Sequence, residues 1–178
     1  MPWPRNQLSK PFRPEQLHQR TFGAVVFLMH TTDLDHLSLV GDVFDRKYLT
    51  DYQRFRKPVD VQDPGVLATA FGRVALAAQP ERVQSLLRKG VPRTTRHTPT
   101  ADEILRSLVR DTAPCFALEH EQTLAGWSCV ALGLRPLPMP RAVIGVLAPT
   151  GRFDTDPFAR AVAQTAAALE EQVLTRQL

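Results

Sequence analysis

Short apolar runs separated by polar turns predict five β-strands along the chain. Residues 23–29 and 37–40 are rich in β-branched and aromatic side chains and flank a polar turn at residues 31–35. We therefore expect them to pair as a hairpin. Three more runs follow in the second half of the chain, at residues 116–118, 127–134 and 142–147. Prolines at positions 136, 138 and 140 predict a stiff loop between the last two strands.

Apolar side chains at helical spacing predict helices around these strands. Asp63 and Pro64 form a typical helix start, and the pattern after them predicts a helix over residues 64–77. A second helix follows Pro80 and ends before Gly90, because glycine favours the backbone conformation of a helix stop. Three other helices are predicted: a short one over residues 14–17, one that begins with a capping box at Thr100 and Glu103, and a long one after Asp156 and Pro157.

The order of these elements favours an α+β domain with a mainly antiparallel sheet. The hairpin is followed by helices, then by the remaining strands and a final helix, without the regular strand and helix alternation of parallel sheets. The first 14 residues contain four prolines between polar residues and are expected to form an extended arm. We therefore predict an arm over residues 1–14 and one domain over residues 15–178.

Composition and charge are typical of a globular protein of the cytoplasm. The chain has 178 residues, of which 43% are hydrophobic and 22% charged. It shows neither a run of about 20 apolar residues nor the apolar stretch of a signal peptide. The 22 basic and 18 acidic residues give a net charge of +4. The basic residues are spread along the chain, which indicates a solvated surface and not a phosphate-binding face.

Candidate reactive groups are few and have no catalytic spacing. Cys115 and Cys129 are too few for a disulfide framework, and Cys129 lies in an apolar run where a packed or pocket-lining thiol is expected. Glu119, His120 and Glu121 are adjacent, but neighbours on a strand face opposite sides, so they make a weak metal site. Glycine-rich phosphate loops and common hydrolase motifs are absent from the sequence. We predict no enzyme activity, no metal and no cofactor.

Five segments of the chain, in a fixed order, carry a more specific signal than any single motif. They are residues 68–77 (ATAFGRVALA), 88–98 (RKGVPRTTRHT), 116–121 (FALEHE), 126–131 (GWSCVA) and 149–152 (PTGR). The series resembles the ATAxGKAxLA helix, the Thr-rich connection and the YAxDxE, GxxCIA and GPxxR segments of one family. That family is the C-terminal effector-binding domain of IclR-type transcriptional regulators, and the similarity extends over about residues 20–175.

The chain also departs from the family pattern at several positions. Gln122 replaces the family's usual second glutamate, Cys115 stands at a glycine position, and Ala148 replaces the glycine before a proline. On the last strand, Gly145 and Leu147 match the two serines of the family's Ser-x-Ser. This replacement removes two hydroxyl groups from the expected ligand pocket.

The resemblance implies a GAF-like, curved sheet flanked by helices that encloses a ligand pocket. Position by position, the implied ligand-binding residues are Ala70, Phe71, Glu119, Cys129, Gly145 and Leu147. Glu119 supplies an acceptor among apolar walls. Because a second anion beside Glu119 is costly to bury without donors, we expect a ligand less polar than a small keto acid. For Phe71 and Leu147, core packing remains the alternative.

The resemblance further implies a small-molecule sensor that forms a homodimer or homotetramer and couples ligand occupancy to DNA affinity. About 20 residues precede the first predicted strand, too few for the family's winged helix-turn-helix. DNA contact is therefore expected only through a domain that this chain lacks. Two alternatives remain: an oligomerisation partner of full-length regulators, and a cysteine-dependent enzyme, which rapid pH-dependent alkylation of Cys129 would indicate.

Overall fold

The computed structural model describes residues 13–31, 35–53, 59–110, 116–134 and 142–175. The strands are β1 (Val25–Thr31), β2 (His36–Val43), β3 (Val59–Asp60), β4 (Phe116–His120), β5 (Trp127–Gly133) and β6 (Ala142–Pro149). The helices are α1 (Pro14–Arg20), α2 (Leu49–Tyr52), α3 (Ala70–Leu76), α4 (Pro80–Lys89), α5 (Ala101–Arg110) and α6 (Thr155–Thr175). Three short 3₁₀ helices span Arg46–Tyr48, Pro64–Ala68 and Thr150–Arg152. Most of the predicted arm, Cys115 and the predicted proline loop lie outside the described residues.

All six strands form one antiparallel sheet, in the order β3-β2-β1-β6-β5-β4. The sheet curls into a half-barrel with helices against it, which confirms the predicted α+β class. The five predicted strands are all present, and β1 pairs with β2 as the predicted hairpin. The short strand β3 was not predicted, because two residues are too few to show an alternating pattern.

The sheet separates two apolar cores. Odd-numbered residues of β1 and β6, such as Phe27 and Leu147, face the first core with the helices that follow β3. Even-numbered residues, such as Val26 and Ile144, face the second core with α1 and α6. Every residue of β5 is buried, because this strand is covered on both faces.

The helix predicted over residues 64–77 is in fact two helices, so that prediction is wrong in detail. A 3₁₀ helix begins after Asp63, whose side chain accepts a hydrogen bond from the Gly65 N–H at 2.8 Å. The backbone then becomes extended at Thr69, and α3 begins at Ala70. The Thr69 hydroxyl stabilises this break, because it accepts from the Gly72 N–H at 2.9 Å and donates to the Val66 carbonyl at 2.7 Å.

The other predicted helices are confirmed with small shifts of their ends. Helix α4 stops at Gly90, which has a φ of +86°. The capping box of α5 is formed, since the Glu103 carboxylate accepts from the Thr100 N–H at 2.7 Å. Helix α6 begins at Thr155, one residue before the predicted start. No helix in the described ranges is long and apolar enough to span a membrane.

Candidate functional site

Three of the predicted pocket residues lie in one row across neighbouring strands. Glu119 of β4 is directly opposite Cys129 of β5, and Cys129 is directly opposite Leu147 of β6. All three side chains therefore project from the same face of the sheet. All three are buried, with 4%, 2% and 5% of their surfaces exposed.

The N-terminal part of α3 covers this row. Phe71 of α3 meets Phe27 of β1 edge to face, with the ring centroids 6.0 Å apart. Ala70 takes part through its backbone, because its N–H donates to Glu119 Oε2 at 3.1 Å. Gly145 is directly opposite Phe27 in the sheet, and a Cβ at this position would lie 2.3 Å from the Phe27 ring. The Phe27 ring therefore covers Gly145.

A small cavity remains between the sheet and α3. Counted with its open mouth, the cavity has a volume of about 340 Å³. The centre of a water molecule can reach only about 20 Å³ of it. That space holds about one water. Of the six predicted residues, Phe71, Glu119, Cys129 and Leu147 line the cavity, whereas Ala70 and Gly145 are not among its lining residues.

Three lining residues were not predicted: Phe27, Met29 and Leu39. Phe27 and Met29 share a face of β1, so the period-two pattern of that strand was a usable signal for them. Leu39 depends on a bulge in β2, where the register shifts between the pairs Leu28 with Gly41 and Met29 with Leu39. A bulge changes the direction of nearby side chains, and no sequence signal marked it.

The Glu119 carboxyl group is the main polar group of the cavity, and it joins three elements. From β4 it accepts the Ala70 N–H of α3 on Oε2. On Oε1 it accepts the Thr123 N–H at 3.1 Å and the Thr123 hydroxyl, both from the turn between β4 and β5. These hydrogen bonds satisfy a carboxyl group that would otherwise be costly to bury.

Arg73 of α3 is also buried, with 3% of its surface exposed. Its Nη1 donates to the carbonyls of Leu67 and Ala68 at 3.2 and 3.3 Å, and to Gln122 Oε1 at 2.8 Å. Its Nη2 donates to the Leu118 carbonyl of β4. The expectation that the basic residues are solvated is therefore wrong for Arg73. One feature of the sequence indicated that Arg73 is special: it lies in the segment 68–77 that resembles the family's helix.

The electrostatics of the cavity do not favour a nucleophile. Burial raises the pKa of Glu119, while the hydrogen bonds from Thr123 and Ala70 and the charge of Arg73 oppose that rise. Burial raises the pKa of Cys129 well above its usual value, and the nearby Glu119 charge raises it further. Because the thiolate is the nucleophile, this burial disfavours the reactive form of Cys129.

Two regions away from the cavity bring several polar side chains together, but neither includes a predicted ligand-binding residue. At the end of β4, the Ser128 hydroxyl lies 3.0 Å from His120 Nδ1 and 2.9 Å from the Thr150 hydroxyl. A wide groove between α1 and α6 is lined by Arg13, Arg20 and five other residues. Across the part of the chain described here, no group of three or more metal-ligating side chains is present.

The fold is shared with several solved bacterial regulators. An IclR homolog from Microbacterium hydrocarbonoxydans, complexed with 4-hydroxybenzoate, is 18% identical and has a TM-score of 0.78 over 96% of this chain and 68% of its own. IclR from Thermotoga maritima is 18% identical, with a TM-score of 0.67 over 93% and 70%. The repressor BlcR from Agobacterium tumefaciens is 18% identical, with a TM-score of 0.65 over 89% and 62%. Among curated proteins, none matches the sequence.

The antiparallel sheet with α3 against one face is thus a fold that this chain shares with these bacterial regulators. The model of the family "Bacterial transcriptional regulator IclR C-terminal" matches residues 63–172. This match covers more than half of the chain, and the chain therefore belongs to the IclR C-terminal family. The chain spans about two thirds of the length of the solved regulators named above.

Proposed function

We propose that this chain is the effector-binding part of a transcriptional regulator in the cytoplasm, and that it binds a small molecule in the cavity beneath α3. The observation that supports this most directly is the convergence of Phe71, Glu119, Cys129 and Leu147 on one cavity. A concave site with apolar walls and few polar groups is typical of small-molecule binding. The relative complexed with 4-hydroxybenzoate supports a small ligand for this fold.

The cavity is nearly filled by its own side chains, so ligand binding requires it to expand. Phe71 of α3 and Leu39 of β2 both line it, and Leu39 is only partly buried. Expansion at these two side chains would shift α3 or β2. In a homodimer or homotetramer, such a movement biases the assembly to the extent that the ligand binds one arrangement better than the other.

The proposed ligand is less polar than a small keto acid. Gly145 and Leu147 supply no hydroxyl group, and the Ala70 N–H is already bound to Glu119. A ligand carboxylate would therefore meet the Glu119 carboxylate without a free donor in the cavity wall. Glyoxylate and pyruvate are expected to bind poorly.

A thermal-shift screen of metabolites tests the proposal, because a ligand of the folded form raises the unfolding temperature. We expect at least one neutral, mainly apolar hit, and no shift with glyoxylate or pyruvate. The variant Leu39→Trp fills the mouth of the cavity and should abolish the shift. The matched control Leu105→Trp places the same ring on the exposed face of α5 and should retain it. A shift that persists in Leu39→Trp would contradict the cavity as the binding site.

A further inference from the structure

The groove between α1 and α6 is far more open than the cavity beneath α3. Its volume is about 760 Å³ when the mouth is included, and the centre of a water molecule can reach about 330 Å³ of it. Volumes of this size are typical of sites that hold a small molecule. The groove can therefore accept a ligand without expanding, whereas the cavity cannot.

Two arginines give this groove a positive charge. Arg13 is the N-cap of α1 and Arg20 is its last residue, and both line the groove. A separation of seven residues places them on one face of the helix, about 10 Å apart along its axis. Both side chains are exposed, and neither forms an ion pair or a hydrogen bond with any residue that the structure describes. The two guanidinium groups are thus free to bind an anion.

The other lining residues supply amide groups and an apolar wall. Gln16 of α1 and Gln164 of α6 contribute one carboxamide from each helix, and the apolar part consists of Ala168 and the buried Leu169. Thr165 also lines the groove, and its hydroxyl donates to a carbonyl of its own helix at 2.8 Å. Within the described ranges, no acidic side chain lines the groove. Hydrogen-bond donors beside an apolar wall suit an organic anion.

The spacing of the two arginines favours a ligand with two acidic groups. One exposed ion pair contributes little to binding. When two such pairs are joined by one ligand, the second forms at a high effective concentration, so the two reinforce each other. Glyoxylate and pyruvate have only one carboxylate and can engage only one of the arginines.

The size of the groove favours a small molecule over a macromolecule. A stable protein partner covers about 800 Å² on each side, far more than seven lining residues provide. Nucleic acid requires many phosphate contacts, and the groove offers two arginines.

We infer that this groove is a second ligand site, which binds an elongated organic dianion with one acidic group on Arg13, the other on Arg20, and the carbon chain against Ala168 and Leu169. The site is separate from the cavity, because α1 and α6 pack on the second core, across the sheet from the cavity walls. A bound dianion would contact both helices at once.

Three probes test the charge and the length of the ligand. Suberate carries a carboxylate at each end of a medium-length carbon chain. Octanoate has the same chain with one carboxylate, and succinate has two carboxylates on a short chain. Calorimetry at a pH of about 7, where the carboxylates are ionised, should give suberate a Kd of about 1 mM or lower. Suberate should bind at least about fivefold more tightly than either of the other probes.

Substitution of the arginines tests their role. Arg13→Gln and Arg20→Gln should each reduce the affinity for suberate to about that of octanoate, because one of the two ion pairs is lost. The matched control is Arg88→Gln, which removes an exposed arginine from α4 on the cavity side of the sheet. At about 0.15 M salt this distant charge is screened, so the affinity should change by less than about twofold.

A second pair of variants tests the place of binding without changing any charge. Ala168→Trp fills the groove and should abolish suberate binding. Ala167→Trp adds the same ring to an exposed position of α6 that does not line the groove, and it should retain binding. Both positions are exposed, so both variants should keep the unfolding temperature of the natural protein.

Four results would overturn the inference. The first is no heat of binding with suberate at about 10 mM. The second is octanoate or succinate binding as tightly as suberate. The third is an equal loss of affinity in Arg88→Gln and the two groove variants, which would indicate a general attraction to positive charge. The fourth is suberate binding that persists in Ala168→Trp. None of these results affects the proposed function of the cavity.

Discussion

Gly72 occupies a position in α3 where the fold leaves no room for a side chain. A Cβ at this position would lie 2.1 Å from the Val66 carbonyl oxygen and 2.6 Å from Thr69 Oγ1. Val66 belongs to the 3₁₀ helix and Thr69 to the break before α3, and a backbone carbonyl cannot move aside at low cost. The close approach of these two segments therefore requires glycine.

The substitution Gly72→Ala should lower the free energy of unfolding by about 3 kcal/mol, because the two helical segments must separate to admit the methyl group. Urea denaturation measures the change. The matched control is Gly151→Ala, where no atom lies within 4 Å of the added Cβ, and its effect should stay within about 0.5 kcal/mol. Equal stability of the Gly72 variant would show that α3 packs less tightly than described.

Glu119 should give stability an unusual dependence on pH. Burial raises its pKa above 4.5, so the native state keeps the proton in a window where the unfolded state has lost it. Stability therefore falls as the pH rises from about 4.5 through the raised pKa, and then levels off. The difference in unfolding free energy between the natural protein and Glu119→Gln should follow this course.

Glu121 serves as a control, because its contribution to stability should change with pH in the opposite direction. A hydrogen bond from the Gly126 N–H lowers the pKa of Glu121, so its contribution to stability is present at higher pH and is lost as the pH falls through the lowered pKa. Urea denaturation over one pH series gives the unfolding free energy of the natural protein minus that of Glu119→Gln or of Glu121→Gln, and these two differences should change with pH in opposite directions. Matching slopes would contradict the burial of Glu119.

At the scale of single elements, the sequence predicted helix ends where the stabilising contacts join residues that are close together in the chain. Thr100 and Glu103 predicted the start of α5, and Gly90 predicted the end of α4, because caps and stops are short-range interactions. The break at Thr69 was missed, since the apolar pattern continues through residues 64–77 and a threonine inside a helix can also bond a carbonyl of the preceding turn.

The capping box of α5 gives a prediction for that helix. Thr100→Ala removes the hydroxyl that accepts the Glu103 N–H at 3.4 Å and donates to its carboxylate at 2.9 Å. The loss should be about 1 kcal/mol in the free energy of unfolding. Ser107→Ala on the same helix should cost less, because that hydroxyl only adds to a carbonyl within the helix. Circular dichroism during urea denaturation compares the two variants.

At the scale of the whole molecule, sequence patterns predicted the sheet better than the cavity. The apolar runs predicted five strands, and the family resemblance indicated which face carries Glu119, Cys129 and Leu147. The rest of the wall consists of Phe27, Met29 and Leu39. The pattern of β1 showed that Phe27 and Met29 share a face, but their place beside Leu147 depends on strand order, and that of Leu39 depends on a bulge, both of which arise from long-range pairing. The burial of Arg73 depends on backbone carbonyl groups of two separate segments and on the Gln122 side chain, and composition gave no sign of it.

The distribution of charge over the molecule also gives a prediction about DNA binding. The net charge of +4 comes from basic residues spread along the chain, and at least one of them, Arg73, is buried. We expect fluorescence anisotropy to show no binding of this chain to a random DNA duplex at about 0.15 M salt. The same duplex with a supercharged basic protein serves as the positive control. Tight binding with a steep salt dependence would contradict the expectation.

The sheet that separates the two cores also separates substitutions that change stability from substitutions that change ligand preference. Substitutions among Val162, Ala166 and Leu169 alter how α6 packs in the second core, and the sheet lies between that core and the ligand wall. Distant, non-contacting sites contribute to stability almost additively. A biosensor built on this domain can therefore be made more heat-resistant from the α6 side while its ligand preference is redesigned independently from the α3 side.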